Sequence, residues 1–210
     1  MFITFEGIEG SGKSTQIKLL AAELQLRGHT VVVTREPGGT ALGDKIRKIL
    51  LDSSSSGMTP MCELLLYAAA RAQHVAEIIQ PALAAGKIVL CDRFTDSTLA
   101  YQGAARGLDF KVLADLARLA VGAVQIHKTF LFDLPAAVGL QRARVRIQEN
   151  AGGDKEDRFE NERLSFHEKV RQGFLGLVQQ EPQRFVVFDA TQGVAELHAA
   201  VLAATLSMVA

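Results

Sequence analysis

The 210-residue chain has no tryptophan, two cysteines, five prolines and no net charge, since 23 Lys and Arg balance 23 Asp and Glu. The charge balance supplies no bulk attraction to nucleic acid or to a membrane surface, so neither is expected as a partner. Basic residues still cluster locally. Cys62 and Cys91 lack metal-ligand spacing and build no disulfide framework. Both lie in apolar runs and are expected to be buried free thiols, which suits a reducing cytoplasm. Long hydrophobic runs are missing too. Glu6 interrupts the N-terminal run too early for a secretion signal. The most apolar stretch, residues 194–210, carries Glu196 and His198 and is short for a membrane span, so a helix packed on the core is expected there. His29, His74, His127, His167 and His198 show no metal-binding pattern and read as structural or exposed.

Hydrophobic residues make up 48% of the chain, enough for a sizeable core, and the length suits one domain over residues 1–210. Short β-branched or apolar runs predict strands over residues 1–6, 30–34, 87–91, 129–133 and 185–188. Helical spacing predicts helices over 13–26, 42–51, 61–85, 94–105, 110–120, from 136 onward, over 161–180 and in the tail. Residues 53–57 read as a short polar linker. Residues 150–157, with Gly152 and Gly153, read as a flexible loop inside a lid over about 141–160. The alternation of strand and helix predicts an α/β fold: a five-stranded parallel sheet with helices on both faces. Ligands in such sheets bind beyond the carboxyl ends of the strands. The expected strand ends carry Glu6, Arg35-Glu36, Asp92-Arg93, Asp133 and Asp189.

Gly7-Ile8-Glu9-Gly10-Ser11-Gly12-Lys13-Ser14 matches G-x-x-x-x-G-K-S/T between a strand and a helix. Glycines let backbone amides curl round phosphate oxygens, and the helix N-terminus adds its positive end. Lys13 is expected to reach the β- and γ-phosphates of a nucleoside triphosphate and Ser14 to ligate magnesium. A chance match in a glycine-rich turn is the alternative, which the flanking strand and helix argue against. Asp92 closes a strand, where an acid holds a magnesium-bound water or orients the attacking group; the plainer reading is a helix N-cap. Arg93, Ser97 and Tyr101 are spaced to share one helix face, giving an arginine clamp, a hydroxyl and a ring. Tyr67 and Arg71 are again four apart. They either grip a nucleobase or are a core tyrosine beside a surface arginine, and alone the second reading is the better one. Arg142, Arg144 and Arg146 lead into the glycine loop. They are either a solvated face or a closing segment that brings positive charge to a transferring phosphoryl group. The second reading is adopted, with Arg146 ahead of Arg144.

Together Glu6 to Thr15, Thr34-Arg35-Glu36-Pro37-Gly38-Gly39-Thr40, Tyr67 to Arg71, Asp92-Arg93-Phe94 and Ala100-Tyr101-Gln102-Gly103 resemble bacterial thymidylate kinases, along essentially the whole chain. The resemblance implies γ-phosphoryl transfer from ATP to dTMP, with magnesium, a homodimer and a P-loop fold with a mobile lid. It implies ATP contacts from Gly7 to Thr15 and from Arg142, and metal ligation at Ser14 and Asp92. Lys13, Asp92, Arg93 and Arg146 are implied as catalytic. For dTMP it implies Glu9 on the sugar 3′-hydroxyl, Tyr67 stacked on thymine, Arg71 on the base edge and Arg93 on the acceptor phosphate. Ser97 or Thr98 would read the base and Tyr101 would crowd the 2′ position, with Glu36, Pro37 and Gln102 also lining the pocket. The loop has no basic residue between Gly7 and Gly12, as in the family type whose catalytic arginine lies in the lid. The stacking residue is Tyr where the family usually has Phe, and the lid is long. Kinases for other nucleoside monophosphates, or an ATP-driven regulator or motor, remain the competing readings; a motor has no need of a second nucleotide pocket.

Overall fold

The computed structural model describes residues 1–149 and 158–209, without the Arg146 side chain. The expected loop over 150–157 lies outside the described residues. The strands are β1 (Phe2–Glu6), β2 (Val31–Arg35), β3 (Ile88–Asp92), β4 (Lys128–Asp133) and β5 (Phe185–Asp189). They form one sheet in the order β2-β3-β1-β4-β5, with every neighbouring pair parallel. β1 is central and buried at every position, which is why it reads as an unbroken apolar run up to Glu6. β2 lies on an edge and mixes half-buried with exposed positions. Alternation along the strands feeds two layers. Ile3, Phe5, Ile88 and Leu90 pack with Ile17, Leu20 and Leu24 of α1 (Lys13–Leu26). Phe2, Val89 and Cys91, one residue out of phase, pack with Val75, Ile79 and Phe94.

Local chemistry sets the helix starts. Thr40 caps α2 (Ala41–Leu51) by accepting from Gly43 N, and Thr59 caps α3 (Pro60–His74) by accepting from Cys62 N, with Pro60 at the first helical position. The long helix expected over 61–85 is one continuous rod in three parts. A π-turn (Val75–Ile79) joins α3 to α4 (Gln80–Ala84). It falls just before Pro81, whose nitrogen has no hydrogen to donate. The helix expected over 94–105 is likewise α5 (Thr95–Thr98) running into a π-turn (Leu99–Ala105). α6 (Phe110–Val121), α7 (Ala136–Glu149), α8 (Leu164–Gln180) and α9 (Val194–Val209) complete the order. α8 starts three residues later than its pattern suggested, after a turn in which Glu162 N donates to Phe159 O. Residues 53–55, read as linker, form a single 3₁₀ turn.

Cys62 departs from its expected burial. It is exposed, because the third position of α3 is spent on the Thr59 cap and points away from the apolar stripe. Cys91 is buried in the central sheet, as expected. No described helix is long and apolar enough to cross a membrane.

Candidate active site

Strand order builds the site. β1 and β3 are neighbours, with Phe5 registered against Asp92. The loops that leave their carboxyl ends therefore share one edge of the sheet. Gly7 to Gly12 leaves β1 and turns into α1. Gly10 stands at φ 71°, and a Cβ there would lie 2.3 Å from the Gly139 carbonyl oxygen, so the loop passes against the first turns of α7 only because it lacks a side chain. Ile8 places its side chain in the core and offers the loop its backbone. Ser14 and Thr15 are exposed in the first turn of α1.

Lys13 is buried, and its ammonium donates to Gly7 O at 3.0 Å, Ile8 O at 2.8 Å and Ser11 Oγ at 3.1 Å. Burial, with Arg93 adding to it, brings the amine down to about 8 against the pull of Asp92, Glu9 and Glu6. Such an amine gains from any anion that enters the loop. Ser14 Oγ donates to Asp92 Oδ2 at 2.6 Å, so the two residues expected to meet at a metal do lie side by side. Among the described residues no three His, Cys, Asp or Glu side chains cluster as a metal cage. A hydroxyl and a carboxylate at the phosphate end of the loop nevertheless fit magnesium, which takes few protein oxygens and leaves its other positions to water and phosphate.

Arg93 is the hub. Its spacing suggested a helical face shared with Ser97 and Tyr101, but Arg93 stands outside α5 in the left-handed region, at φ 67°. This unusual backbone for a non-glycine residue is held by Arg93 N on Phe5 O at 3.0 Å and by Phe94 N on Glu6 Oε1 at 2.7 Å. The expected neighbours are nevertheless its neighbours. Nη1 donates to Gly7 O at 2.9 Å and Ser97 Oγ at 3.2 Å, Nη2 to Glu9 Oε1 at 2.9 Å, and the guanidinium lies 5.0 Å from the Tyr101 ring centroid. Tyr101 Oη donates to the same Glu9 oxygen at 2.5 Å. Burial works to raise the Glu9 carboxyl, but Arg93 and His167 outweigh it and hold the group well below the usual carboxylate range. Burial pushes the Tyr101 phenol well up.

On α3, Arg71 is not the surface arginine of the plainer reading. It is 3% exposed, donating Nε to Glu36 Oε2 at 2.7 Å and Nη2 to Thr98 Oγ1 at 3.0 Å and Phe94 O at 3.1 Å. His74 Nδ1 lies 2.9 Å from the other Glu36 oxygen. Glu36 is followed by a cis bond to Pro37, whose carbonyl accepts from Arg47 Nη1 at 3.1 Å. Tyr67 is half-buried one turn before Arg71, its phenol raised by burial and by Glu63. Gln102 is buried and donates to Glu63 Oε1 at 2.7 Å, which ties it to α3. Arg142 is exposed beside the loop and donates to Ala190 O at 3.0 Å. Arg146 falls on α7, and its side chain lies outside the described residues, as do residues 150–157, read as the loop of the expected lid.

Several contributors were not among the residues assigned a role in the expected site. Glu6 takes Phe94 N and Ser97 Oγ, the latter at 2.5 Å. Glu63 pairs with Arg158 at 2.7 Å and Arg106 at 3.4 Å, fastening the turn at 158–160 to α3. His167, grouped with the structural histidines, touches Glu9. An acid closing a buried strand is the one hint that singled out Glu6. Glu63 and His167 find their partners only through the tertiary fold.

A phosphate-cradling loop at the carboxyl edge of a parallel sheet, beside an arginine hub outside the loop, defines a P-loop phosphotransferase. Comparison with known proteins narrows the class. The thymidylate kinase family model matches residues 5–201. A thymidylate kinase of Geotalea uraniireducens is 58% identical over 209 residues, covering 100% of this chain and 98% of the relative. One from Geobacter sulfurreducens is 60% identical over 193 residues, covering 92% and 90%. The crystal structure of thymidylate kinase from Ehrlichia chaffeensis superposes with a TM-score of 0.77 at 36% identity, covering 98% of both chains. The chain belongs to the thymidylate kinase family.

Proposed function

We propose that the residues gathered round Arg93 receive dTMP and that the loop from Gly7 to Thr15 receives ATP. The enzyme phosphorylates dTMP to dTDP with ATP as the donor. The observation that carries the two-site assignment is the Gly7 carbonyl, which accepts from both Lys13 and Arg93. One backbone oxygen thus lies between a donor-loop ammonium and an acceptor-side guanidinium.

In this assignment a non-bridging oxygen of the dTMP phosphate attacks the γ-phosphorus in line, and the bond to the β-bridging oxygen breaks to release ADP. The acceptor oxygen is already ionised, so positioning and charge neutralisation supply most of the acceleration. Lys13 exchanges its carbonyl partners for β- and γ-oxygens. Arg93 holds the acceptor phosphate, and Asp92 and Ser14 would hold magnesium, which would supply charge neutralisation at the transferring group. Arg142 flanks the donor, and Arg146 from the lid over 141–160 covers the transferring group. Glu9 receives the sugar 3′-hydroxyl, Tyr101 crowds the 2′ position, Tyr67 stacks on thymine, and Arg71 with Ser97 or Thr98 reads its edge. Glu36 and Pro37 close the pocket, with Glu36 and Gln102 acting through their bonds to Arg71 and Glu63.

The whole chain acts as one kinase domain in the cytoplasm, as a homodimer. On α3 and α6, where a dimer face would lie, Leu64 and Leu113 are buried, while Met61, Leu65, Phe110 and Leu119 present apolar surface. ADP release across a panel of nucleoside monophosphates tests the assignment. dTMP should give the highest kcat/KM, and its ribose counterpart should be turned over poorly. Equal rates on the two sugars would remove Tyr101 from its role, and a preference for dUMP or a purine would overturn the thymine reading.

A further inference from the structure

His167 is fully buried, and both of its ring nitrogens are engaged. Nδ1 lies 3.0 Å from Glu9 Oε2, and Nε2 lies 3.0 Å from the Phe159 carbonyl oxygen. An ionised carboxylate and a carbonyl only accept. The ring therefore presents an N–H on each side, an assignment that follows from the partners. His74 makes the contrast: its Nε2 faces the Thr34 hydroxyl, which either donates or accepts, so one N–H suffices there.

Glu9 has Arg93 and Tyr101 on Oε1, and among the described residues the contact on Oε2 comes from His167. A carboxylate offers about four lone-pair positions. Three are taken, and the one left is on Oε2. Arg93 and Tyr101 pin one oxygen, and His167 sets the direction in which the other faces. It does so from α8 while tied to the turn at 158–160.

We propose that His167 is a positioning residue for the acceptor sugar, holding Glu9 so that the remaining position on Oε2 meets the 3′-hydroxyl of dTMP. The inference rests on the assignment of Glu9 to that hydroxyl. It gives α8, which lies outside the sequence motifs, a part in holding the acceptor sugar.

The two halves of the ring are separable. His167→Asn places an amide N–H near Nδ1 and keeps the Glu9 bond, whereas His167→Gln places one near Nε2 and keeps the Phe159 bond. Steady-state kinetics on dTMP and on 3′-deoxythymidine monophosphate, run on one preparation of each variant, cancel any difference in folded fraction. His167→Gln should raise the KM for dTMP about tenfold, the worth of one charge-assisted hydrogen bond. The KM for ATP and the kcat should stay unchanged. On the 3′-deoxy substrate the penalty should shrink to less than about twofold, and His167→Asn should stay within about threefold of wild type on dTMP. Equal losses on both substrates in His167→Gln would overturn the proposal, as would a larger loss in His167→Asn than in His167→Gln. Glu9→Gln is the control. If it discriminates between the two substrates while His167→Gln does not, only the role of His167 falls. If it too treats them alike, the assignment of Glu9 to the sugar falls as well.

Discussion

Glu6 closes β1 with no exposure to solvent, and its replacement by glutamine exposes how the Arg93 turn is held. Burial, with the Asp96 carboxylate adding to it, raises the Glu6 carboxyl from its ordinary 4.5 to about 8, although Ser97, Arg93 and Phe94 N pull the other way. Asp96 is itself kept by Arg184, through contacts of 2.6 and 2.9 Å. Between those two pH values the folded protein keeps a proton on Glu6 that the unfolded chain has released. Stability from this group is therefore fully present below pH 4.5 and is lost as pH rises through 8. Each pH unit in that window is worth about 1.4 kcal/mol. From pH 5 to pH 8 the wild-type protein should lose up to about 4 kcal/mol through Glu6. Glu6→Gln keeps the volume and one acceptor but cannot titrate. The assay is urea unfolding of both proteins at four pH values from 5 to 8, read as the difference in unfolding free energy. Taking the difference cancels groups common to both chains, including Glu9, whose lowered carboxyl matters only in acid. The difference should move steadily in favour of the variant as pH rises. A flat difference across that range would refute the reasoning, since it would mean that Glu6 is already ionised at pH 5.

Other outcomes follow from the same contacts. Arg93→Ala should lower kcat/KM for dTMP by about 10³-fold, the scale of losing a cationic clamp at a transferring phosphoryl group. Its far-ultraviolet circular dichroism should match wild type, and near-normal turnover would end the role given to Arg93. Glu63→Gln removes the counter-charge of Arg158, whose side chain is 7% exposed. Breaking such a pair costs about 3 kcal/mol, so Tm in calorimetry should fall by about 6–12 °C. A shift under 2 °C would mean that the ion pair fastening residues 158–160 to α3 contributes little.

Much of the fold was legible because its signals are local. Apolar β-branched runs marked all five strands to within about a residue, and the loop from Gly7 to Ser14 declared itself by spacing alone. What stayed hidden depends on strand order. Nothing in the run from Phe2 to Glu6 says that β3 rather than β2 lies beside it, yet that pairing brings Asp92 to Ser14 and Arg93 to Gly7 and Glu9. Glu63 and His167 read as ordinary polar residues for the same reason: Glu63 meets Gln102 39 positions away, and His167 meets Glu9 158 positions away.

The helical-face argument for Arg93, Ser97 and Tyr101 reached the right neighbours by the wrong geometry. Helical spacing from Arg93 presumes helical backbone at Arg93, which instead adopts φ 67°. The turn aims its guanidinium back along the sheet edge, and the π-turn over Leu99–Ala105 carries Tyr101 to meet it above Glu9. A left-handed arginine is strained unless its surroundings hold it. Here Glu6 holds it from below through Phe94 N, and Glu9 holds its charge from the side. The Arg93 turn is thus set by two acids of opposite habit, one whose carboxyl burial pushes up and one whose carboxyl Arg93 and His167 hold down. The first spares the strand end a buried negative charge, and the second keeps a charge beside Arg93, where the proposed assignment brings the acceptor sugar.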